Sequence, residues 1–481
     1  MLNLKGVINQ LKEEEYRRIS KKLLDSKAEK FNSMFQYYRE NSMSDEDIQT
    51  TLNLTSNAFY VLKSRLFEKI QEQLLERSVD PKTDILKKLI MIPQLLFDTN
   101  RSISHAALTK LEKDLSANDM PYELKAVYAA LKKIHPHTDK YYEYTQLYNK
   151  HVAYTLALDK SETLLLEFTK NLGNYCASRD PGLLSIFSLI KKEIANVSCL
   201  YASHHLKVTQ NILDVSFAVF LPLEEAALND DPVEDVLSET EKIISQYPKD
   251  AHYQYILNII NFLSYEYYQK SGSHKKAGQY FSLVNIHLPS FLYYNHCCFC
   301  SKFLISKVER YMYLNIESRL YEENKICFKN YEPDKSDIPN YINYIKYLAV
   351  SAYYADKYDE ASKLLSNLLN AVSFKSITYS EIEIKLFLAL TYSMANKYDL
   401  AWIKLRSVSR KINSENRDGS YQNAVLFAAL LKTQGTPKGK VHEKLNTIKT
   451  QFNLLNQGPK KMLEFIKLDE KFIMKLGKPV K

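Results

Sequence analysis

The amino-acid sequence predicts an all-α protein built mainly from stacked helical hairpins. Glycine is scarce, with 10 residues in 481, which leaves little material for glycine-rich turns or phosphate-binding loops. Apolar residues recur at spacings of three and four along much of the chain, as in amphipathic helices. The segment 347–365 is repeated at 387–405, an offset of 40 residues. Because 481 residues exceed the size of one hydrophobic core, several domains or an elongated stack are expected.

The repeated segment carries the same small and large residues at the same positions in both copies. The first copy is YLAVSAYYADKYDEASKLL and the second is FLALTYSMANKYDLAWIKL. Besides the shared KYD triplet, the matching positions are a Leu-Ala pair, a later Ala and a final Leu (Leu348, Ala349, Ala361 and Leu365; Leu388, Ala389, Ala401 and Leu405). Small residues let paired helices approach closely. The pattern therefore predicts two copies of the same helical hairpin.

The chain divides into four predicted regions. They are a helical module at 1–78, irregular helical hairpins at 84–228, helical repeats at 233–432 and a lysine-rich helical segment at 433–481. The boundaries fall at clusters of turn-forming residues, of which RSVDPKTD and LNDDPVED are the clearest.

In the first region, the residues at 41–75 carry strong helix start and stop signals. Ser44 is a predicted N-cap, with Asp47 at the third helical position as in a capping box. Asn53 stands where this helix is expected to end and tolerates the left-handed conformation. Thr55 or Ser56 then caps a second helix.

Three local predictions concern the middle of the chain. Pro93 is expected to kink or shorten its helix. Separate helices are expected at 140–158 and 161–178. A third, less regular hairpin is expected at 252–289, with its SGS turn one residue longer than the turns at 356–359 and 396–399.

Positive charge is concentrated at the end of the chain. Residues 432–481 contain 12 lysines and 4 acidic residues, while the whole chain has a net charge of +9. Two lysine-rich helices are predicted around the Gly-Pro pair at 458–459. This end is either a solvated lysine-rich cap or a surface for an anionic partner.

The repeats resemble tetratricopeptide repeats (TPRs) in their small first-helix residue, second-helix Ala and large apolar residue four positions later. Residues 341–372 and 381–412 resemble the family well, and 255–289 resembles it moderately. The usual Trp and Gly of the first helix are absent, and the 40-residue offset exceeds the roughly 34 residues of that family. The resemblance implies an irregular TPR-like α-solenoid with a concave groove that binds protein, and it implies no reaction.

Residues 44–70 resemble the helix-turn-helix (HTH) of bacterial response-regulator output domains and of sigma-factor promoter-reading domains. In such modules the second helix enters the major groove by its N-terminal residues. The resemblance implies nucleic-acid contacts from the groove-facing and basic residues of that helix (Ser56, Asn57, Tyr60, Val61, Lys63, Ser64, Arg65 and Lys69). Gln49 stands where a small Ala is usual and Asn53 where Gly is usual.

The charge of this module leaves its partner open. Residues 1–78 contain 13 basic and 12 acidic side chains, which attract DNA phosphates only weakly. No groove-facing position is Arg or Lys, the commonest readers of base edges. An exposed Tyr60-Val61 pair suits a protein contact equally well. The module is therefore predicted either to bind DNA through 41–75 or to pack against or bind protein.

No catalytic, cofactor-binding or metal-ligating set is predicted, and the protein is not expected to be an enzyme. Cys297 and Cys300 have CxxC spacing, but a structural zinc site needs four ligands and no second CxxC exists. Buried free thiols are the simpler interpretation. No signal peptide or apolar stretch of membrane-spanning length is found, so a soluble cytoplasmic protein is expected.

The main functional prediction is a non-enzymatic scaffold that binds a protein or peptide on the inner surface of its repeats. The residues expected to contribute to this surface are Tyr344, Tyr347, Ser351, Tyr354 and Tyr392. The alternative for each tyrosine is packing between hairpins. The rival prediction is a cytoplasmic transcriptional regulator whose HTH-like module binds DNA while the TPR-like repeats sense a partner.

Overall fold

Helix is the dominant structure of the described residues. The computed structural model describes residues 4–11, 13–25, 28–40, 43–75, 83–222, 231–247, 250–292, 298–328, 331, 333–415, 419–433, 441–458 and 460–476. Within these ranges all regular structure is helix and no strand occurs, so the predicted all-α class is confirmed there. None of the helices in these ranges has both the length and the apolar character that crossing a bilayer requires.

The chain forms two compact units. Unit 1 comprises residues 1–155 and 328–332, and unit 2 comprises residues 156–327 and 333–481. The division after residue 155 falls inside a helix and not at one of the turn clusters that mark the predicted regions.

Unit 1 contains two hydrophobic cores, one built from residues 4–70 and one from residues 85–148. Its helices are α1 (Leu4–Gln10), α2 (Glu13–Asp25), α3 (Glu29–Glu40), α4 (Asp45–Thr51), α5 (Ser56–Leu75), α6 (Thr83–Ile90), α7 (Ile92–Asp98), α8 (Arg101–Ala117), α9 (Pro121–Ile134) and the first part of α10 (Lys140–Ser178). Pro93 lies at the start of α7, so the helix is interrupted at Met91, as the sequence predicts.

The local signals around α4 and α5 act as predicted. The Ser44 hydroxyl accepts a hydrogen bond from the Asp47 amide at 3.2 Å, and the Asp47 carboxylate accepts one from the Ser44 amide at 3.1 Å. Asn53 is left-handed, with φ of 50°. The Thr55 hydroxyl oxygen accepts a hydrogen bond from the Ala58 amide at 3.4 Å. Capping chemistry alone therefore predicts this helix–turn–helix path.

Unit 2 is a succession of helices connected mostly by short turns. They are the rest of α10, then α11 (Leu184–Ser198), α12 (His204–Phe220), α13 (Val233–Gln246), α14 (Ala251–Lys270), α15 (His274–Ile286), α16 (Leu288–Leu292), α17 (Phe299–Leu314), α18 (Leu320–Cys327), α19 (Ile338–Tyr354), α20 (Tyr358–Ala371), α21 (Thr378–Met394), α22 (Tyr398–Glu415), α23 (Gln422–Lys432), α24 (Val441–Leu455) and α25 (Glu470–Leu476). The prediction of separate helices at 140–158 and 161–178 is wrong, because α10 is continuous. The intervening Asp159 and Lys160 do not break a helix as Gly or Pro would.

The two KYD hairpins have the same turn geometry. Asp356 and Asn396 are left-handed, with φ of 58° and 59°. The amides of the following residues, Lys357 and Lys397, donate to the carbonyls five residues earlier at 2.9 and 2.8 Å. This is the Schellman arrangement that ends a helix. The matched sequences thus form matched hairpins.

The hairpin of α14 and α15 has the same turn length as the KYD hairpins. Gly272, with φ of 76°, occupies the position of Asp356 and Asn396, and Ser273 N donates to Tyr268 O at 2.9 Å. Helix α14 ends at Lys270 and α15 begins at His274, so three residues form the turn, as they do between α19 and α20. The prediction of a turn one residue longer is therefore wrong.

The end of the chain is helical only in part. The two predicted helices are present as α24 and α25, but α25 begins only at Glu470. Between them, residues 460–469 contain no helix, although Met462, Leu463, Phe465 and Ile466 are buried.

Candidate functional site

Unit 2 contains a cavity of about 910 Å³. Its walls are the end of α10, the end of α12, the inner faces of α14, α17, α19 and α21, and the non-helical residues that follow α24. Helices α14, α19 and α21 are the first helices of the three hairpins that share the same turn. The cavity therefore lies beside the first helices of these hairpins, but none of the five predicted partner-binding residues lines it.

Arg179 and Lys302 are half-buried cations in this cavity wall. Arg179 follows α10 in the left-handed conformation, with φ of 56°, and its guanidinium lies 5.4 Å from the centre of the Tyr379 ring. Lys302 Nζ lies 4.5 Å from the centre of the Phe220 ring. Among the described residues, no carboxylate oxygen forms an ion pair with either cation, and the buried Arg179 Nε has no hydrogen-bond partner. Neither cation therefore has a carboxylate in the described part of the chain that neutralises it. Lys302 does contact Cys176, and both cations lie against aromatic rings.

Cys176 lies against the same cations. Lys302 Nζ donates to Cys176 Sγ at 3.5 Å. Burial by itself would raise the pKa of this thiol, but Lys302 and Arg179 outweigh burial and lower it. The field of these cations therefore already favours a negative charge at this point of the cavity wall.

Other charged groups of the cavity wall are paired within the protein. Lys346 Nζ lies 3.0 Å from Glu383 Oε2, with both side chains largely buried. Lys461 Nζ lies 3.1 Å from Glu464 Oε1. These two ion pairs neutralise part of the wall. Arg179 and Lys302, by contrast, have no carboxylate partner among the described residues.

Two further glutamates of the wall hold their protons more tightly than usual. Burial, aided by the neighbouring Glu266, raises the pKa of Glu309 to about 8. Burial also raises the pKa of Glu266, which accepts a hydrogen bond from the Ser306 hydroxyl. Glu309 is nevertheless exposed to the open cavity, so its place in the wall favours the protonated form without removing the carboxyl group from water.

One wall of the cavity is a length of non-helical chain. Residues 460–467 lie along α19 and α21, and their backbone is hydrogen-bonded by side chains of those helices. Glu383 Oε1 accepts from the Leu463 amide at 3.0 Å, and the Tyr354 hydroxyl donates to the Phe465 carbonyl at 3.0 Å. The surface thus already binds peptide backbone.

The five predicted partner-binding residues occupy two kinds of environment. Tyr344, Tyr347 and Ser351 are buried. The Tyr347 hydroxyl donates to the buried Asn324 side chain at 2.8 Å, and Asn324 donates to Ser351 Oγ at 2.7 Å. These contacts favour packing between helices over an exposed surface. Tyr354 is half-buried against residues 460–467, and Tyr392 is also half-buried.

The predicted nucleic-acid contacts lie along α5 and are only partly exposed. Ser56, Asn57, Tyr60, Val61 and Arg65 are exposed, and Ser64 is half-buried. Lys63 and Lys69 are engaged with unit 1 itself. Lys63 Nζ lies 2.7 Å from Asp45 Oδ2, and Lys69 Nζ lies 5.2 Å from the centre of the Phe31 ring. Of the three basic residues expected to contact nucleic acid (Lys63, Arg65 and Lys69), two therefore already contact other side chains of unit 1.

The cysteine-rich stretch is described only in part. Cys298 and Cys300 are buried thiols, and burial raises the pKa of Cys298 far above its usual value. His296 and Cys297 lie outside the described residues. The CxxC spacing from Cys297 thus remains a pattern in the sequence.

Comparison with models of known protein families, with curated proteins and with solved structures finds no match to this chain. The TPR-like and HTH-like resemblances therefore rest on the residues quoted above.

Sequence reasoning missed the principal residues of the cavity. Arg179, Lys302 and Glu309 are more than a hundred residues apart at the extremes and belong to no shared motif. The one usable signal was the inner surface implied by the hairpins, which indicates a location but not its charges.

Proposed function

We propose that this protein is a non-enzymatic interaction scaffold whose unit 2 cavity binds a peptide segment of a partner protein. The observation that carries the proposal is the cavity of about 910 Å³ whose wall holds two cations without a carboxylate partner among the described residues. A preformed concave site with a few convergent polar groups is the usual form of a binding site.

The chemistry of the wall indicates the kind of segment that fits. Arg179 offers a planar donor group that suits a carboxylate, and Lys302 offers a second positive charge. Glu309 adds a carboxyl group that is largely protonated near neutral pH. A segment with an acidic side chain or a terminal carboxylate would place that group between the two cations, while its backbone meets the polar side chains of α19 and α21.

The test is capture of partners by the tagged full-length protein from extracts of its native cells, with three variants in parallel. Arg179→Gln and Lys302→Gln each remove a cation from the wall. Arg406→Gln removes an exposed cation of α22 that does not line the cavity. We expect a stoichiometric partner that is retained by Arg406→Gln and lost, by about tenfold or more, with each cavity variant.

The captured partner must also bind the purified protein directly. Binding that is unchanged in both cavity variants, with all variants folded, would contradict the cavity as the site. Absence of any reproducible partner would contradict the scaffold.

A second candidate function is DNA binding by a regulator, through residues 41–75. The observation that favours it is the exposure of Ser56, Asn57, Tyr60 and Arg65 on the capped N-terminal half of α5. The test is titration of the full chain with mixed duplex DNA at low and at moderate salt. DNA binding predicts affinity that falls with salt and weakens further in Arg65→Gln. A folded protein that binds no DNA at low salt would exclude this function.

A further inference from the structure

Residues 460–467 are held like a bound peptide and not like a helix in a core. They form no helix, and their main chain is hydrogen-bonded by side chains from several elements. The Tyr379 hydroxyl donates to the Lys461 carbonyl, and Glu383 accepts from the Leu463 amide at 3.0 Å. Asn423 Nδ2 donates to the Lys460 carbonyl at 2.8 Å.

Tyr354 binds this segment at two points. Its hydroxyl donates to the Phe465 carbonyl at 3.0 Å and accepts from the Lys467 amide at 2.9 Å. Contacts from fixed side chains to a backbone recognise the path of a main chain whatever its sequence, whereas packing of apolar side chains selects the sequence.

Selection is provided by two adjacent pairs of apolar residues. Met462 and Leu463 form the first pair, Phe465 and Ile466 form the second, and all four are at most 5% exposed. The Phe465 ring centre lies 5.2 Å from that of Phe387 on α21. Glu464, between the pairs, is exposed. The recognised pattern is therefore two apolar residues, one free position and two apolar residues.

The segment carries a conformational cost that favours its release. Leu463 is left-handed, with φ of 55°, a conformation that is unfavourable for a leucine by about 1 kcal/mol. Its attachment beyond the groove is the short helix α25, which is held in part by a 2.5 Å contact between Lys475 Nζ and Asp356 Oδ1. Helix α25 also buries Phe472, Ile473 and Leu476, so the segment opens as a loop between two anchored helices, α24 and α25.

We propose that residues 460–467 are an internal ligand of a peptide-binding face on α19 and α21. A partner peptide with the same pattern of two apolar pairs would bind there in competition with the protein's own segment. This inference rests on the proposed scaffold function and specifies both the class of partner and its regulation. Opening of residues 460–467 would expose the face, and their return would close it.

The experiment uses a fluorescein-labelled synthetic peptide of sequence GPKKMLEFIKLD, which copies residues 458–469, and the full-length protein. Binding is measured by fluorescence anisotropy. The double variant Leu463→Ala/Phe465→Ala weakens the internal ligand and leaves the face on α19 and α21 unchanged. If the internal segment occupies the face more than about nine-tenths of the time, the double variant should bind the peptide about tenfold more tightly than the unmodified protein. A scrambled peptide is the control.

Tyr379→Phe in the double-variant background removes one hydrogen-bond donor from the face and should weaken peptide binding about fivefold. The proposal is overturned if the double variant is folded yet binds the peptide no more tightly than the unmodified protein does. It is also overturned if the scrambled peptide binds equally well.

Native-state hydrogen exchange on the unmodified protein tests the proposal even if the double variant does not fold. The Leu463 and Lys467 amides should exchange at least tenfold faster than the amide of Phe387, because the segment opens without unfolding α21. Equal protection at all three would make the segment a permanent part of the core and overturn the proposal. Peptide binding without any captured cellular partner would contradict the scaffold alone. A captured partner that does not compete with the peptide would contradict only this inference.

Discussion

Helix α5 and the cavity of unit 2 use their positive charges in opposite ways. On α5, Lys63 is paired with Asp45 at 2.7 Å, and Lys69 lies over the Phe31 ring. In the cavity, Arg179 and Lys302 have no carboxylate partner among the described residues. The cations that a sequence pattern selects for ligand contact are thus partly occupied by the protein. The available cations lie where no motif indicates them.

The difference shows that the availability of a charge matters more than its presence. A lysine that already has a carboxylate at hydrogen-bond distance must lose that contact before it binds a ligand. Within the described part of the chain, Arg179 and Lys302 have no such carboxylate contact to lose, and the contact of Lys302 with the Cys176 thiol is long, at 3.5 Å.

The largest expected effect comes from breaking a buried pair in the cavity wall. Glu383→Ala removes the partner of Lys346 and the acceptor of the Leu463 amide, leaving a buried cation and a buried donor unsatisfied. We expect unfolding free energy to fall by about 3 kcal/mol or more, because an uncompensated buried charge is costly. Urea denaturation followed by circular dichroism measures this. A loss below about 1 kcal/mol would mean that water reaches the pair freely.

The corresponding pair in unit 1 should contribute less. Asp45 accepts hydrogen bonds from the Lys63 ammonium at 2.7 Å and the buried Tyr38 hydroxyl at 2.8 Å, so Asp45→Ala leaves Tyr38 without this acceptor. We expect a loss of about 1.5 kcal/mol. A loss equal to that of Glu383→Ala would remove the distinction between the two regions.

The stabilisation that Asp45 provides should decrease at low pH. Burial opposes ionisation of Asp45, but the hydrogen bonds from Lys63 and Tyr38 outweigh it and lower the pKa. The stabilisation is complete above the ordinary value of 3.8 and is lost as pH falls through the lowered pKa. Asp45→Asn should therefore flatten the acid limb of the stability profile.

Glu309 should show the opposite dependence on pH. The unfolded carboxyl ionises near pH 4.5, whereas the folded one keeps its proton to about pH 8. Between these values the folded state binds more protons, so this group's contribution to stability falls as pH rises. Glu309→Gln should stabilise the protein by about 1 kcal/mol at about pH 9 and leave it unchanged at about pH 4, the size being limited because the carboxyl group is open to cavity water. Thermal melts at both values decide this, and an equal change at both would exclude the pKa as its cause.

The smallest effect is expected for an exposed pair between the two KYD hairpins. Lys397 Nζ and Asp359 Oδ1 are 2.7 Å apart, and both side chains are largely exposed. Lys397→Ala should change unfolding free energy by about 0.5 kcal/mol or less. Urea denaturation of Lys397→Ala, measured in parallel with Glu383→Ala, provides the matched surface control. A loss of unfolding free energy above about 1 kcal/mol would show that the Lys397 side chain stabilises this turn in addition to its backbone hydrogen bonds.

Local features were predictable because their causes lie within a few residues. The Ser44 cap follows from a side chain that satisfies a nearby backbone amide. The left-handed Asn53 and the equal turns at Asp356 and Asn396 follow from residue types that tolerate the left-handed conformation after a helix. The length of α10 was not predictable, since polar residues such as Asp159 are compatible with either a turn or a continued helix. The tyrosines show the same limit. Tyr347 and Tyr354 are seven residues apart and lie on the same face of α19, yet Tyr347 is buried against Asn324 and Tyr354 binds residues 460–467.

The sequence by itself determined the helical class, the caps and the matched KYD hairpins, because these depend on spacing and on contacts between near neighbours. Only the tertiary structure decided which cations have partners, since pairing depends on groups brought together from distant parts of the chain. It also decided that the lysine-rich end lies partly inside a groove, where burial of four apolar residues outweighs the preference of the flanking lysines for water. The pairing of the cations and the burial of the lysine-rich end have the same physical reason. Each depends on which groups the folded chain brings close together and which it leaves in contact with water.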